Sequence, residues 1–227
     1  MRQAAAINRG VEAAHGDIII VLNADDVLYP GAVSVLVRAL VDNPDVAAVY
    51  ADAVHIDALG HVISPYPTQP FSLLALNESC IICHPASAVR RSAFREAGGF
   101  DTSLDVIVDY EFWIRLAQKS AIGKIDGLIA ASRMHLDNKT LGRRGDGFRE
   151  VRRTLLRYFG FIPYTWSFAY TAWLLGDTDP FFAPARPSRL VVIASLAVGV
   201  ALNWRRPGRY VRDWFAHRSA GTRKRAA

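Results

Sequence analysis

The sequence predicts an α/β domain with a parallel sheet, continued by a helical C-terminal segment, and three observations carry that prediction. Helix-like and strand-like segments alternate through the first fifty residues, the order expected of strands joined by crossover helices. A short β-branched run, Asp17-Ile-Ile-Ile-Val-Leu22, delivers Asn23-Ala24-Asp25-Asp26 to its end, where open α/β sheets bind ligands. After Gly147 the pattern is almost wholly helical, with aromatics dense between Tyr158 and Phe182.

Ala4 to Ala14 reads as a short helix ending near Gly16, and the buried strand 17–22 follows. Beyond the acidic loop, Gly31–Val41 is amphipathic and stops at Asp42-Asn43-Pro44; Val46–Ala51 is the next apolar strand. Val54–Ile56 and His61–Ile63 flank Asp57-Ala-Leu-Gly60 as a hairpin, and Tyr66–Pro70 is a proline-rich loop. Ser87–Arg90 reads as a strand, with a short helix to Ala97 and a break at Gly98-Gly99. Asp109–Ser120 is a helix with Asp109 at its mouth. Ile125–Met134 is apolar and leads into a polar loop, His135–Gly147.

Of the 227 residues, 51% are hydrophobic and 21% charged, a globular rather than disordered composition. The net charge of +6 is uneven. Ten basic residues against one acid, Asp213, give residues 186–227 a charge of +9, so residues 1–185 carry −3. Leu190–Leu202 contains one polar side chain, Ser195, and is shorter than the roughly 20 residues of a bilayer span. The Arg, Trp and Tyr residues interleaved over 203–215 fit an anionic membrane interface. A packed helix with a solvated tail is the alternative, and nucleic acid is not the expected partner. Cys80 and Cys83 form a lone C-x-x-C without a second ligand pair at zinc-ribbon spacing, so they read as reduced, packed thiols. The opening Met1-Arg-Gln-Ala-Ala-Ala reads as a helix start, not a secretory signal.

Two adjacent carboxylates at a strand end repel each other unless a cation lies between them, and their hard oxygens suit Mg²⁺ or Mn²⁺. The same loop also fits a strand-to-helix turn in which Asp caps the helix. Asp109 is an acid or a cap at its own helix start. Glu111 stands four residues before Arg115, the spacing of a helical ion pair.

Four stretches occur together: Ala6-Ile7-Asn8-Arg9-Gly10 with Ala14-His15-Gly16-Asp17; Leu22-Asn23-Ala24-Asp25-Asp26 to Pro30-Gly31; Gly98-Gly99-Phe100-Asp101 with Asp109-Tyr110-Glu111-Phe112-Trp113-Ile114-Arg115-Leu116-Ala117; and Arg133-Met134-His135 with Asn138-Lys139-Thr140. In order and spacing they resemble the family 2 glycosyltransferases of the A-type fold, most closely the subgroup with Leu-Asn-Ser-Asp-Asp at the metal loop. Pro85-Ala86-Ser87 through Arg90-Arg91 resembles the stretch that precedes Gly-Gly-Phe-Asp in that family. The likeness covers residues 4 to about 140.

The resemblance implies a nucleotide-diphospho-sugar transferase fold and an inverting, metal-dependent sugar transfer. Asp25 then corresponds to the ligand of the divalent cation (Mg²⁺ or Mn²⁺), with Asp26 in support and Asn23 in place of the commoner first Asp. Asp109 corresponds to the catalytic base, with Val108 where Glu is usual. His135 corresponds to an imidazole that some members supply to the metal, or is a solvent-facing loop residue. Asn8 and Arg9 are expected at the donor pocket, Asn8 alternatively turning the chain. Lys139, Arg143 and Arg144 either neutralise phosphate in a closing loop or form a solvated basic loop.

Family members place a first βαβ unit ahead of the Ala-Ile-Asn segment, so about 60 to 80 residues of the usual fold are expected outside this chain. The sheet would then have an exposed edge and half a nucleotide pocket, completed by a longer reading frame or a separate polypeptide. The expected organisation is a partial catalytic domain over 1–145, a helical acceptor-side region over 146–185, and an apolar helix with a basic aromatic tail over 186–227. The expected partners are a nucleotide-diphosphate sugar, a glycan or lipid-linked acceptor, and a membrane surface met through 190–215. That places the chain peripherally at the cytoplasmic face of a membrane. The rival expectation is a catalytically inactive membrane-surface module derived from the same fold.

Overall fold

The computed structural model describes residues 2–135, 138–177 and 188–223, with side chains to Arg218. Leu136 and Asp137 of the polar loop, Phe181, Phe182 and Arg186, and the basic Lys224 and Arg225 lie outside the described residues. The chain divides into two compact units, one running to Leu76 and resuming over Cys80–Val151, the other formed by Asn77–Ser79 and the chain from Arg152.

The first unit is built on a six-stranded sheet. Strands β1 (Ile18–Ile19), β5 (Ser87–Arg90), β3 (Val46–Ile56), β6 (Ala121–Arg133) and β2 (Val27–Leu28) lie in that order, and β4 (Val62–Pro65) pairs β3. The sheet is mixed rather than parallel. Among the described residues only β3 and β6 run parallel; β1–β5, β5–β3, β3–β4 and β2–β6 are antiparallel. The expected helix–strand alternation over residues 4–51 exists, but β1 and β3 are not neighbours, because β5 runs between them in the opposite sense. The apolar run 17–22 is correspondingly less buried than expected. It pairs over two residues at one end of the strand order, and Leu22 is 48% exposed.

Strand β3 is the centre of the unit, buried on both faces for most of its length, as a strand covered on both sides must be. One face presents Val49, Ala51 and Ala53 to α2 (Ala32–Asp42), whose Ala32, Leu36 and Leu40 recur at four-residue spacing. The small strand residues let the helix approach closely. Gly31, at φ 84, occupies the N-cap of α2 in the left-handed region open to glycine. The turn Asp57–Gly60 closes β3 onto β4, with Asp57 Oδ1 accepting the amides of Leu59 and His61.

Helices α1 (Gln3–Ala13), α4 (Arg91–Glu96) and α5 (Val108–Ala117) belong to the same unit. Helix α5 is almost entirely buried, including Glu111. The Glu111 carboxylate pairs with Arg115 through two bonds, 2.9 Å to Nε and 2.8 Å to Nη2, and Arg115 also donates to the carbonyls of Ala97 and Gly99. The expected i,i+4 pair therefore also ties α5 to the Gly98-Gly99 turn. Helix α3 (Leu73–Glu78) occupies a stretch left unassigned and α6 (Lys139–Gly142) one read as loop, whereas α7 (Arg144–Phe159) lies mostly in the stretch expected to be helical. The polar segment after His135 is thus largely helical, capped by Asn138, whose Oδ1 accepts from the Leu141 amide.

The second unit contains α8 (Tyr164–Leu174), α9 (Arg189–Leu202) and α10 (Pro207–Arg223). Asn203 at the end of α9 is buried and fully engaged, accepting from the Ile162 amide at 2.8 Å and donating to the carbonyls of Ile162 and Gly199. Tyr210 of α10 lies so close against α9 that a Cβ on Gly199 would stand 1.8 Å from its ring.

Candidate active site

The acidic loop is fixed by the pairing of β2 with β6. Val27 lies opposite Ala131 in an antiparallel register, so the residues before β2 meet the residues that leave β6. Arg133 closes this junction. Its amide donates to Asp26 Oδ1 at 3.0 Å, its Nε to the Asp25 carbonyl at 2.9 Å, and its Nη1 to the Asp57 and Ala58 carbonyls. Two residues later, His135 Nε2 stands 3.3 Å from Asp25 Oδ2. The register thus brings together an acid and an imidazole 110 positions apart.

These two side chains can share a cation. Ligands about 2.1 Å from one ion at right angles stand about 3 Å apart, close to the 3.3 Å observed. Both are open to approach, Asp25 being 40% and His135 30% exposed. Asp26 is placed differently: Oδ1 takes the Arg133 amide and Oδ2 accepts from Asn23 Nδ2 at 2.9 Å. Asn23 Oδ1 in turn accepts from Gln3 Nε2 at 2.9 Å. Asn23 and Asp26, expected at the donor, are therefore engaged in shaping the loop that presents Asp25.

Asn8 is likewise engaged by the scaffold. Its Nδ2 donates to the Phe100 carbonyl at 2.9 Å and its Oδ1 accepts the Phe100 amide at 2.8 Å. Asn8 lies mid-helix in α1, so it does not turn the chain; its side chain ties the helix to Phe100. The buried ring of Phe100 packs against Phe94, Phe112 and His84. Arg9, on the same helix, is exposed.

Asp109 lies in the first turn of α5, where the helix dipole favours a carboxylate. Its Oδ1 accepts the Tyr110 amide at 2.8 Å. The preceding loop is held by a residue with no local signal: Glu150 of α7 accepts the amides of Asp105, Val106 and Ile107 at 2.9, 2.9 and 3.1 Å. Asp105 receives Lys139 at 2.8 Å and Arg143, and Arg143 also pairs with Asp146. Lys139 and Arg143 are thus fastened beside the entrance to α5 rather than carried on a free basic loop.

The acidic loop and the start of α5 both act on the segment Cys83-His84. Burial pushes the Cys83 thiol far up, and the nearby charges of Asp26 and Asp109 push it further. Burial lowers the His84 pKa, while Asp109 and Asp26 oppose that shift. Cys80 is raised by burial and then by Asp109. Both thiols are free, and their raised pKa values make them poor nucleophiles. His84 is the residue sequence reasoning passed over. A cavity of about 10 Å³ beside it, lined also by Phe100, Phe112 and Trp113, is far too small for a sugar and belongs to the core.

A separate acid–histidine cluster lies in the second unit. His217 Nε2 is 3.5 Å from Glu78 Oε2, and Nδ1 is 3.3 Å from Asp213 Oδ1. These contacts raise the His217 pKa to about 10, first through Asp213 and then Glu78. With each ring nitrogen facing a carboxylate, the group is satisfied as an imidazolium clamp.

Residues 2–98 match the family model described as "Glycosyl transferase family 2". The chain is similar to the O-antigen biosynthesis protein RfbC of Myxococcus xanthus, 31% identical over 54% of this chain and 10% of that protein. It is similar to the chondroitin synthase of Escherichia coli, 26% identical over 71% of this chain and 24% of that protein. The chain thus spans a quarter or less of the length of these two relatives. Among solved structures it resembles S. aureus TarS 1-349, with a TM-score of 0.52 at 12% identity, over 91% of this chain and 62% of the other. That likeness concerns the fold. Over residues 2–98 the chain thus matches the family 2 glycosyltransferases, and the mixed sheet with the TarS likeness gives the A-type α/β fold.

Proposed function

We propose that the domain transfers a sugar, with inversion, from a nucleotide-diphosphate donor to a hydroxyl of a glycan or a lipid-linked saccharide. The observation that carries this reading is the meeting of Asp25 and His135 at 3.3 Å beside a loop fixed by Asp26 and Arg133. The electrostatic influence of both Asp26 and Asp109 on the buried His84 supports a base role for Asp109 near that loop. Names of relatives that refer to O-antigen and chondroitin support a saccharide acceptor.

Asp25 and His135 would hold the divalent cation, Mg²⁺ or Mn²⁺, which when bound offsets negative charge on the departing diphosphate. Asp109 accepts the proton of the acceptor hydroxyl as its oxygen bonds to the anomeric carbon. The bond from that carbon to the β-phosphate oxygen breaks, and the nucleoside diphosphate leaves with the electron pair. Inversion follows from attack opposite the leaving group. Arg9, exposed on α1, is the remaining candidate for donor contact.

The test is turnover of a panel of nucleotide-diphosphate sugars with Mn²⁺, followed as release of nucleoside diphosphate. Release abolished by Asp25→Ala and by Asp109→Asn, with circular dichroism unchanged, is the expected result. Equal release by wild type and both variants would refute the roles given to these acids. No release by the wild-type chain, with intact folding, would favour the inactive surface module.

A further inference from the structure

Helix α9 is built inside out. Its buried stripe is Val191, Ser195, Gly199 and Asn203, at four-residue spacing. Three of these four are small or polar, and each is specifically engaged. Tyr210 Oη donates to the Ser195 carbonyl at 2.8 Å, Trp214 Nε1 donates to Ser195 Oγ at 3.0 Å, Gly199 makes room for the Tyr210 ring, and Asn203 holds Ile162. The opposite stripe, which in a water-facing helix would be polar, consists of Leu190, Ile193, Ala197 and Ala201, and continues into Trp204. Leu190 is 65%, Ile193 69% and Trp204 71% exposed. From Leu190 to Leu202 no charged side chain interrupts it.

What would cover this stripe is indicated by the charges at its ends. Arg189 stands at the first turn; Arg205, Arg206, Arg209 and Arg212 follow the last, all exposed. Asp213 is turned inward, its Oδ2 accepting the Tyr164 amide and its Oδ1 facing His217, and Asp177 Oδ2 accepts the Ser188 amide at the start of the helix. The surface is therefore apolar along its length, with Arg189 beside its start and four exposed arginines after its end. That combination matches the acyl boundary and the headgroups of an anionic bilayer. Fourteen residues make a helix about 21 Å long, and among the described residues no helix is long and apolar enough to cross a membrane. A helix of this length, if it meets a bilayer, fits in the interface rather than across it.

We propose that α9 is an in-plane membrane anchor, with the Leu190–Ile193–Ala197–Ala201–Trp204 stripe in the acyl boundary of an anionic phospholipid leaflet and the flanking arginines among its headgroups. This goes beyond the proposed transfer reaction and does not rest on its chemistry.

Flotation of the full chain with phosphatidylglycerol/phosphatidylethanolamine vesicles tests the proposal. Binding should be strong, weaken with salt, and fall about tenfold or more on phosphatidylcholine vesicles. Leu190→Asp with Ile193→Asp should lower binding about tenfold or more. Because both positions are exposed, circular dichroism and thermal unfolding should not change. Trp204 should be quenched by brominated acyl chains, read as the signal lost in Trp204→Phe. Binding unaffected by the double substitution, or equal on neutral vesicles, would overturn the proposal. So would an absence of flotation, whether the chain is monomeric or is a concentration-dependent dimer broken by the same substitutions; the latter would assign the stripe to a second copy. The Asp25→Ala variant should float like wild type, which separates failure of the anchor from failure of the transfer reading.

Discussion

Replacing Gly99 by Ala should destabilise the first unit through Asn8, and the size of the effect follows from the geometry. A Cβ at Gly99 would lie 2.8 Å from Asn8 Oδ1, 3.1 Å from Cγ and 3.3 Å from Nδ2. The amide end of Asn8 cannot swing aside freely, because it holds both the carbonyl and the amide of Phe100. Displacing it forfeits two hydrogen bonds, about 1 kcal/mol each. The left-handed backbone at Gly99, φ +68, adds about 1–2 kcal/mol for any residue with a Cβ. The expected cost is about 3–4 kcal/mol by urea unfolding, with an unchanged m-value. In an Asn8→Ala background the clash disappears, so Gly99→Ala should then cost only about 1–2 kcal/mol. Strictly additive costs would refute the coupling. Asn8→Ala with unaltered stability and a raised donor KM would return Asn8 to the donor pocket.

Three further outcomes are expected. Glu111→Ala removes the buried end of its pair and leaves Arg115 with the Ala97 and Gly99 carbonyls; it should cost about 2–3 kcal/mol in chemical unfolding. Glu150→Gln removes the charge from a group holding three loop amides; it should cost about 2 kcal/mol and lower kcat about tenfold or more through the displaced start of α5, with little change in donor KM. The His217 clamp should stabilise the second unit most below about pH 6.5, and its contribution should fade as pH rises towards about 10. Thermal unfolding should accordingly show wild type losing its advantage over His217→Gln across that interval.

The parts of this fold that were legible in the sequence are those whose causes are local. Helix α5 follows from the apolar spacing of Tyr110 to Leu116, the Glu111–Arg115 pair from a four-residue interval, and the β3–β4 hairpin from Asp57-Ala-Leu-Gly60. The sheet order was not legible. Periodicity says that Ile18–Ile19 and Ser87–Arg90 are strands, but not that the second runs against the first and separates it from β3. The site divides the same way. The Asp25 loop and Asp109 stand in recognisable motifs, whereas the parts that orient them act at long range. Arg133 reaches Asp26 across 107 positions, Asn8 reaches Phe100 across 92, and Glu150 reaches Asp105 across 45. No local pattern encodes such contacts. Asn23 and Asp26 illustrate the consequence: their oxygens looked available in the motif, but in the fold they bond to Gln3, Arg133 and each other's side chain.

The central claim is that Asp25 and His135 together present a cation to a nucleotide diphosphate. Its most direct measurement is Mn²⁺ binding, read from the loss of the free-ion electron paramagnetic resonance signal, with and without UDP, GDP or dTDP. Mn²⁺ should bind more tightly when one of the diphosphates is present. Asp25→Ala should abolish binding, and His135→Ala should weaken it about tenfold or more, while Asp26→Asn should act mainly on stability. Mn²⁺ binding that neither Asp25→Ala nor His135→Ala alters, or diphosphate binding indifferent to Mn²⁺, would contradict the claim.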